Sequence, residues 1–271
     1  MTLLISHPET VRLVAFVSLL ALFAVLEHRW PRRLLTVSKS RRWLVNLLIV
    51  AVDTAVARMI LPIAPIALAA LAQSRGWGLF NLTGLDGILP LVASILLLDL
   101  VIYGQHRFFH RTPLLWRLHR MHHTDLDLDV SSGTRFHPLE IILSLFIKLA
   151  TVLLLGAPPL AVLLFEMVLN ATSLFNHANL RLPLALDRWL RLIVVTPDMH
   201  RVHHSVIVRE TDSNFGFNLP WWDRLFGTYT AQPRDGHDAM VIGLKEWRDL
   251  ETLGLWRLLS IPFIDLRRRA P

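Results

Sequence analysis

The 271-residue chain contains no cysteine. That single absence excludes disulfides, iron–sulfur clusters, thiolate nucleophiles and cysteine-based zinc sites. Charge is also scarce, with Asp, Glu, Lys and Arg making up 18% of the residues. Lysine is almost missing, at 3 residues against 25 arginines. The arginines flank apolar runs instead of forming one patch, which points away from nucleic acid and toward anionic lipid headgroups. No Gly-rich dinucleotide fingerprint occurs, and there is neither an internal repeat nor a low-complexity segment. The first twelve residues lack a basic cluster, and no small-x-small site follows Leu26. The first apolar run is therefore expected to be kept as an anchor. The Arg, Ala and Leu bias fits a GC-rich bacterial source.

What the chain has in abundance is apolar surface: 53% of its residues are hydrophobic and the mean hydropathy is +0.46. A soluble domain would have to hide nearly all of this, whereas a bilayer removes the problem. Candidate spans are Val11–Leu26; Trp43–Ala72, kinked at Pro62 and Pro65; and Ile88–Gln105. Leu139–Phe175 follows as two spans or a re-entrant hairpin, broken at Gly156-Ala157-Pro158-Pro159. The loop Glu27–Arg42 carries Arg29, Arg32, Arg33, Lys39, Arg41 and Arg42, while the next loop carries only Arg75. The positive-inside rule then places Glu27–Arg42, His106–His137 and everything after His177 in the cytoplasm, as for a bacterial inner-membrane protein. Leu244–Leu266 mixes Trp247, Leu250, Leu253, Trp256, Leu259 and Phe263 with charges and ends in Arg267-Arg268-Arg269. It reads as an interfacial amphipathic C-terminal helix within residues 244–271. The fold class is an all-α integral membrane protein: a single domain over 1–271, with about four to five transmembrane helices and a cytoplasmic helical cap.

Ten of the 13 histidines lie between His106 and His204. His106-Arg-Phe-Phe-His110 spaces two imidazoles on one helical face. His119-Arg-Met-His122-His123 places three at i, i+3, i+4, and His200-Arg-Val-His203-His204 repeats that spacing. His177 stands alone. Imidazoles so spaced offer several ring nitrogens to a common centre, suited to Zn, Fe, Cu or Ni. Nine such rings are too many for one ion and suit two, at four or five apiece. A lone histidine is usually a surface or interfacial side chain; two copies of HxxHH plus HxxxH are not explained that way.

Two polar stripes accompany the histidines. Asp99, Tyr103, His106 and His110 lie at i, i+4, i+7, i+11, and Glu166, Asn170, Ser173 and His177 repeat the spacing. Asp99 and Glu166 are candidates to accept the free N–H of a ligating imidazole, or else polar contacts that order the helix bundle. Asp53 and Arg58 read as a structural pair. Zinc or nickel at the same histidines could instead support a membrane hydrolase, with Asp198 or Asp212 as base, or a non-catalytic metal-binding protein.

From Asp99 to Tyr229, about half the chain, the order of motifs resembles the fatty acid hydroxylase / sterol desaturase superfamily of membrane di-iron enzymes. The likeness is carried by His106–His110, Leu115–His123, Thr196–His204, Asn214-Phe215-Gly216 and Trp222-Asp223-Arg224-Leu225-Phe226-Gly227-Thr228-Tyr229. The last segment separates this family from acyl desaturases. The resemblance implies that His106, His110, His119, His122, His123, His177, His200, His203 and His204 ligate two Fe ions, with Zn as a possible substitute. Where some relatives have a further histidine, this chain has Ser173. Arg135-Phe136-His137-Pro138-Leu139-Glu140 is also familiar from the family, with His137 a supporting or substrate-positioning residue. The implied chemistry is O2-dependent hydroxylation, or desaturation, of an unactivated C–H bond of a membrane lipid. Electrons must come from a separate donor of ferredoxin, cytochrome b5 or reductase type, since the chain has no redox group or haem domain of its own. That donor is expected on the basic cytoplasmic face.

Overall fold

A computed structural model describes residues 8–61, 63–249 and 254–264. Among them the regular elements are all helical, with only isolated extended bridges at Pro31–Leu180 and Ser205–Ile242. In chain order the longer helices are α1 (Pro8–Arg29), α2 (Lys39–Ile60), α3 (Pro65–Arg75), α4 (Ile88–Arg111), α5 (Pro113–His123), α6 (Pro138–Leu155) and α7 (Pro159–His177). The shorter α8 (Leu184–Leu190), α9 (Pro197–His203) and α10 (Leu255–Ser260) follow.

Five stretches are long and apolar enough to cross a bilayer: α1, the α2–α3 region, α4, α6 and α7. The sequence reads Trp43–Ala72 as one kinked crossing, but the chain leaves the helix at Leu61 and restarts at Pro65, which occupies the first turn of α3. Proline has no N–H to give there, so a restart costs less than a kinked continuation. The ambiguous segment Leu139–Phe175 resolves into the hairpin α6–α7. Its turn uses Gly156 in the left-handed conformation (φ 65°) to close α6 and Pro159 to open α7.

Helix α7 packs on α1, α3 and α4, and α6 packs on α2, α3 and α4. Ile66, Ala69, Leu98, Val152, Val162 and Phe165 form the apolar core between them. The outward faces are apolar too: Leu13 (63%), Ile88 (73%) and Leu154 (74%) are largely exposed. A belt of this kind is unstable in water and is what lipid tails would cover.

At one end of the bundle a cap is assembled from α5, α9 and the irregular chain around them. Its centre is polar. Arg42, wholly buried, donates to both carboxylate oxygens of Asp125 at 2.8 Å and to Asp129 at 2.5 Å. It also reaches the Asp127 carbonyl at 2.8 Å and Ser132 Oγ at 2.9 Å. One guanidinium thus ties the end of α2 to the loop leading from α5 to α6, a use of Arg that depends on its planar fork.

The C-terminal stretch is not one continuous helix. Trp247 sits in irregular chain, α10 begins only after Gly254, and a 3-10 turn Ile261–Phe263 follows. Trp247, Leu258 and Ile261 are buried against Val45, Ile49 and Met121, while Trp256 (81%) and Phe263 (70%) point outward. Burial of the Trp247 indole draws the chain into the cap, where an interfacial helix would have kept it on the surface. Leu250, Leu253 and Arg267–Arg269 lie outside the described residues.

Candidate metal centre

Both HxxHH motifs lie at the ends of short helices that open with Thr-Pro. Thr112 and Thr196 stand at the N-caps and Pro113 and Pro197 in the first turns. The Thr196 side chain accepts from Met199 N–H. Helices α5 and α9 therefore present their imidazoles from their last turns. His106 and His110 come from the end of α4, and His177 from the end of α7.

These nine side chains gather into two groups, one of His106, His110, His119, His123 and His203 and one of His122, His177, His200 and His204. Within each group one ring nitrogen per residue lies within 4.8 Å of all the others. The division cuts across the motifs. In each HxxHH the i, i+4 pair joins one group and the middle histidine joins the other: His119 and His123 with His203, and His200 and His204 with His122.

Six of the nine rings have Nδ1 against an oxygen. His106 donates to the Phe215 carbonyl at 2.8 Å, His122 to Arg135 at 3.0 Å, His177 to Ser173 at 2.7 Å and His203 to Ser213 at 2.7 Å. His119 donates to Glu140 Oε1 at 2.7 Å and His110 to Asp212 Oδ1 at 3.2 Å. A carbonyl can only accept, so Nδ1 carries the proton and Nε2 is left with a bare lone pair. These lone pairs face each other: His106 and His119 Nε2 are 3.1 Å apart, as are those of His122 and His177, and His200 Nε2 lies 3.1 Å from His177 Nε2. His203 Nε2 is buried without a partner.

Two imidazole lone pairs that close repel unless a cation lies between them. Protonation would relieve the repulsion, but burial, reinforced by the neighbouring rings, pushes His122, His123, His200 and His204 well below the usual imidazole range. The same burial pushes His203 down to about 3. The cluster is therefore built as neutral nitrogen donors, the form in which imidazole binds transition metals. The donor set fits two such ions.

The residues expected to hold the ligands do so at one remove, or not at all. Asp99 Oδ2 accepts from Trp222 Nε1 at 2.8 Å and Leu219 N–H at 3.3 Å, and Tyr103 bonds Thr228 Oγ1 at 2.9 Å. Both therefore anchor the Trp222–Tyr229 segment. Within it, Asp223 accepts from the Phe215 and Gly216 N–H groups at 2.8 Å each, and the Phe215 carbonyl in turn holds His106. Asn214 adopts a left-handed φ of 52° in the same loop, stabilised by side-chain bonds to Met199, Thr230 and the Thr230 N–H. Glu166 pairs with Lys148 and Arg12, and Asn170 faces a cavity. His137 caps α6, accepting from Leu139 N–H at 3.2 Å, and its Nε2–H donates to the Leu259 carbonyl.

Asp198 is held by Arg32 and Arg201, and the adjacent Arg201 guanidinium, against the opposing effect of burial, keeps it below the usual carboxylate range. Asp212 Oδ1 is bonded to His110 while its side chain stays half exposed. Asp53 and Arg58 do not pair: Arg58 lies 3.4 Å from Glu9, and Asp53 Oδ1 is buried without a partner. The residues that sequence reasoning missed are Glu140 and Asp212 as imidazole acceptors, together with Ser173, which acts through its carbonyl. Glu140 was detectable in principle as a carboxylate in the first turn of an otherwise apolar helix.

The fatty acid hydroxylase family model matches residues 91–228. An ornithine lipid hydroxylase of Rhizobium tropici is 34% identical over 143 residues, covering 53% of this chain and 42% of that protein. The alkylglycerol monooxygenase of Homo sapiens is 29% identical over 175 residues, 63% of this chain and 36% of the relative. A cholesterol 25-hydroxylase-like protein of Danio rerio is 30% identical over 141 residues, 51% of this chain and 54% of that one. The chain thus spans about a third to a half of the length of these curated relatives. No solved structure matches.

Proposed function

Because the chain belongs to the fatty acid hydroxylase family, we propose that it is an O2-dependent, di-iron oxygenase that hydroxylates an unactivated C–H bond of a membrane lipid. The observation that carries this reading is the pairing of two histidine groups with a cavity of about 850 Å3 that opens among the membrane-level helices. His106 and His119 stand at one end of that cavity beside Phe109, Phe136 and Phe217. An acyl or alkyl chain lying in it would bring a C–H bond to the histidines without exposing them to water.

His106, His110, His119, His123 and His203 would hold one iron, and His122, His177, His200 and His204 the other. When bound, the iron pair would supply O2 activation and the removal of a hydrogen atom from the chain. The protein's own part is to fix the rings. Glu140, Asp212 and four backbone carbonyls hold Nδ1–H, so that each Nε2 keeps its lone pair toward the centre. The aromatic walls keep water from the reacting carbon.

Electrons would come from a separate protein docking on the cap, where Arg29, Arg41 and Arg111 are exposed. The cap faces the cytoplasm in this reading, by the excess of cations in Glu27–Arg42. The test is reconstitution in lipid nanodiscs with iron, a reductase system and O2. Two irons per chain and a lipid product heavier by one oxygen atom support hydroxylation; loss of two hydrogens would assign desaturation. Stoichiometric zinc with no O2 uptake in the presence of lipid and donor would reject the oxygenase.

A further inference from the structure

The cavity extends from His106 and His119 to Glu9 and Arg58, which lie near the ends of α1 and α2 remote from the cap. Along its wall α6 sets Glu140, Ser144 and Lys148 at i, i+4, i+8, one stripe of a helix. Each has a different task. Glu140 holds His119, Ser144 Oγ accepts from Gln105 at 2.5 Å, and Lys148 Nζ donates to Glu166 Oε1 at 2.5 Å. The other oxygen of Glu166 lies 3.2 Å from Arg12 Nη1.

One carboxylate therefore serves two cations. The Arg12 and Lys148 side chains are only 27% and 17% exposed, and Arg12 Nε is buried without a partner. The cavity also carries Glu9, Asp53 and Glu140, so it does not lack carboxylates as a whole. Among the described residues none of these three is paired with Arg12 or Lys148. Arg58 pairs with Glu9, Glu140 is bonded to His119, and Asp53 is within ion-pair distance of neither cation. Two part-buried cations that share a single carboxylate leave room beside them for a second anion.

We propose that the substrate is an amphiphile with an anionic head, carboxylate or phosphate, that docks on Arg12 and Lys148 with its chain running to the histidines. This rests on the lipid-oxygenase reading and narrows it. Lys148 lies eight residues beyond Glu140, about 12 Å of helix, and Glu166 lies eleven before His177, about 16 Å. A head held at that depth places the reacting carbon well down the chain. Uncharged sterols and hydrocarbons are then poor substrates.

The test is equilibrium binding, without turnover, to purified protein in uncharged-lipid nanodiscs. The probes are a fluorescent polyene fatty acid, its methyl ester, the matching alcohol and the matching alkyl phosphate. At least one anion should bind about ten-fold or more tightly than the ester and alcohol, and the tighter of the two identifies the head. Arg12→Met and Lys148→Met should each remove that preference while retaining alcohol binding, and Lys148→Arg should keep it. Glu166→Gln should strengthen it by removing the competing carboxylate, and this variant decides the matter if the methionine variants fail to fold. Equal binding of alcohol and both anions, or weaker anion binding in Glu166→Gln, overturns the proposal. Anion preference without any O2-dependent product would leave the docking site standing and reject the oxygenase. Oxygenation of an uncharged lipid with no anion preference would do the reverse.

Discussion

Glu140 Oε1 lies 2.7 Å from His119 Nδ1, and the same ring presents Nε2 to His106 at 3.1 Å and to His123 at 3.2 Å. A carboxylate in the first turn of α6 thus orients the imidazole at the middle of the five-histidine group. Replacing Glu140 by Ala should lower metal affinity at this group by about 10–100-fold. Competition with a chromophoric chelator measures it, and affinity equal to that of the parent would remove Glu140 from this role.

Gly133 approaches the other group. A Cβ there would lie 2.4 Å from the Ser173 carbonyl oxygen and 3.3 Å from His177 Nδ1. Since that carbonyl accepts the His177 proton, Gly133→Ala should displace His177 and empty the four-histidine group first. Metal content per chain should fall by about half, with the five-histidine group still loaded. Full loading with both ions would contradict the close approach.

Asp223 governs His106 through the backbone. Its two oxygens accept from Phe215 and Gly216 N–H, and its Oδ1 also accepts from Thr228 Oγ1 at 2.7 Å. Asp223→Asn turns one of these acceptors into a donor facing a donor, at a cost of about 1–3 kcal/mol for the group left unpaired. The loop should loosen, and activity should fall more than metal content at the four-histidine group. Unchanged melting temperature together with unchanged turnover would refute this.

Arg42→Met would leave Asp125 and Asp129 buried and without their cation. Removing one partner from a buried ionic network costs about 3–5 kcal/mol. A fall in melting temperature should accompany loss of metal, because the Arg135 carbonyl that holds His122 belongs to the loop Arg42 anchors. Arg42→Lys should recover only part of the loss, since it cannot make the bidentate contact. A stable, fully loaded Arg42→Met protein would show that the network is dispensable.

The membrane bundle was legible because its signal is local. Apolar length and Pro and Gly breaks act within a few residues, and they mark the spans. The Thr-Pro openings of α5 and α9 are equally local but were not used in that reading. The C-terminal helix was over-read for the same reason: Trp247, Trp256 and Phe263 look alike in a periodic pattern, and only contact with Met121 and Ile49 buries the first of them. Asp99 and Glu166 were singled out as carboxylates within apolar helices and candidate acceptors for the ligating imidazoles. Their partners, Trp222 and the Arg12–Lys148 pair, come from distant segments that spacing cannot reveal.

Sequence alone determined that six imidazoles come in two sets of three, since i, i+3, i+4 spacing fixes three on one helix end whatever surrounds it. Tertiary structure decided how they are shared. His122 leaves His119 and His123 to join His177, and His203 leaves His200 and His204 to join His106. Neighbouring i+3 and i+4 side chains diverge by about 100° around the helix, so they point to different centres once two such helix ends meet. The same meeting supplied the acceptors for Nδ1, mostly backbone carbonyls. Every residue carries a carbonyl, so no side-chain pattern announces which one will be used.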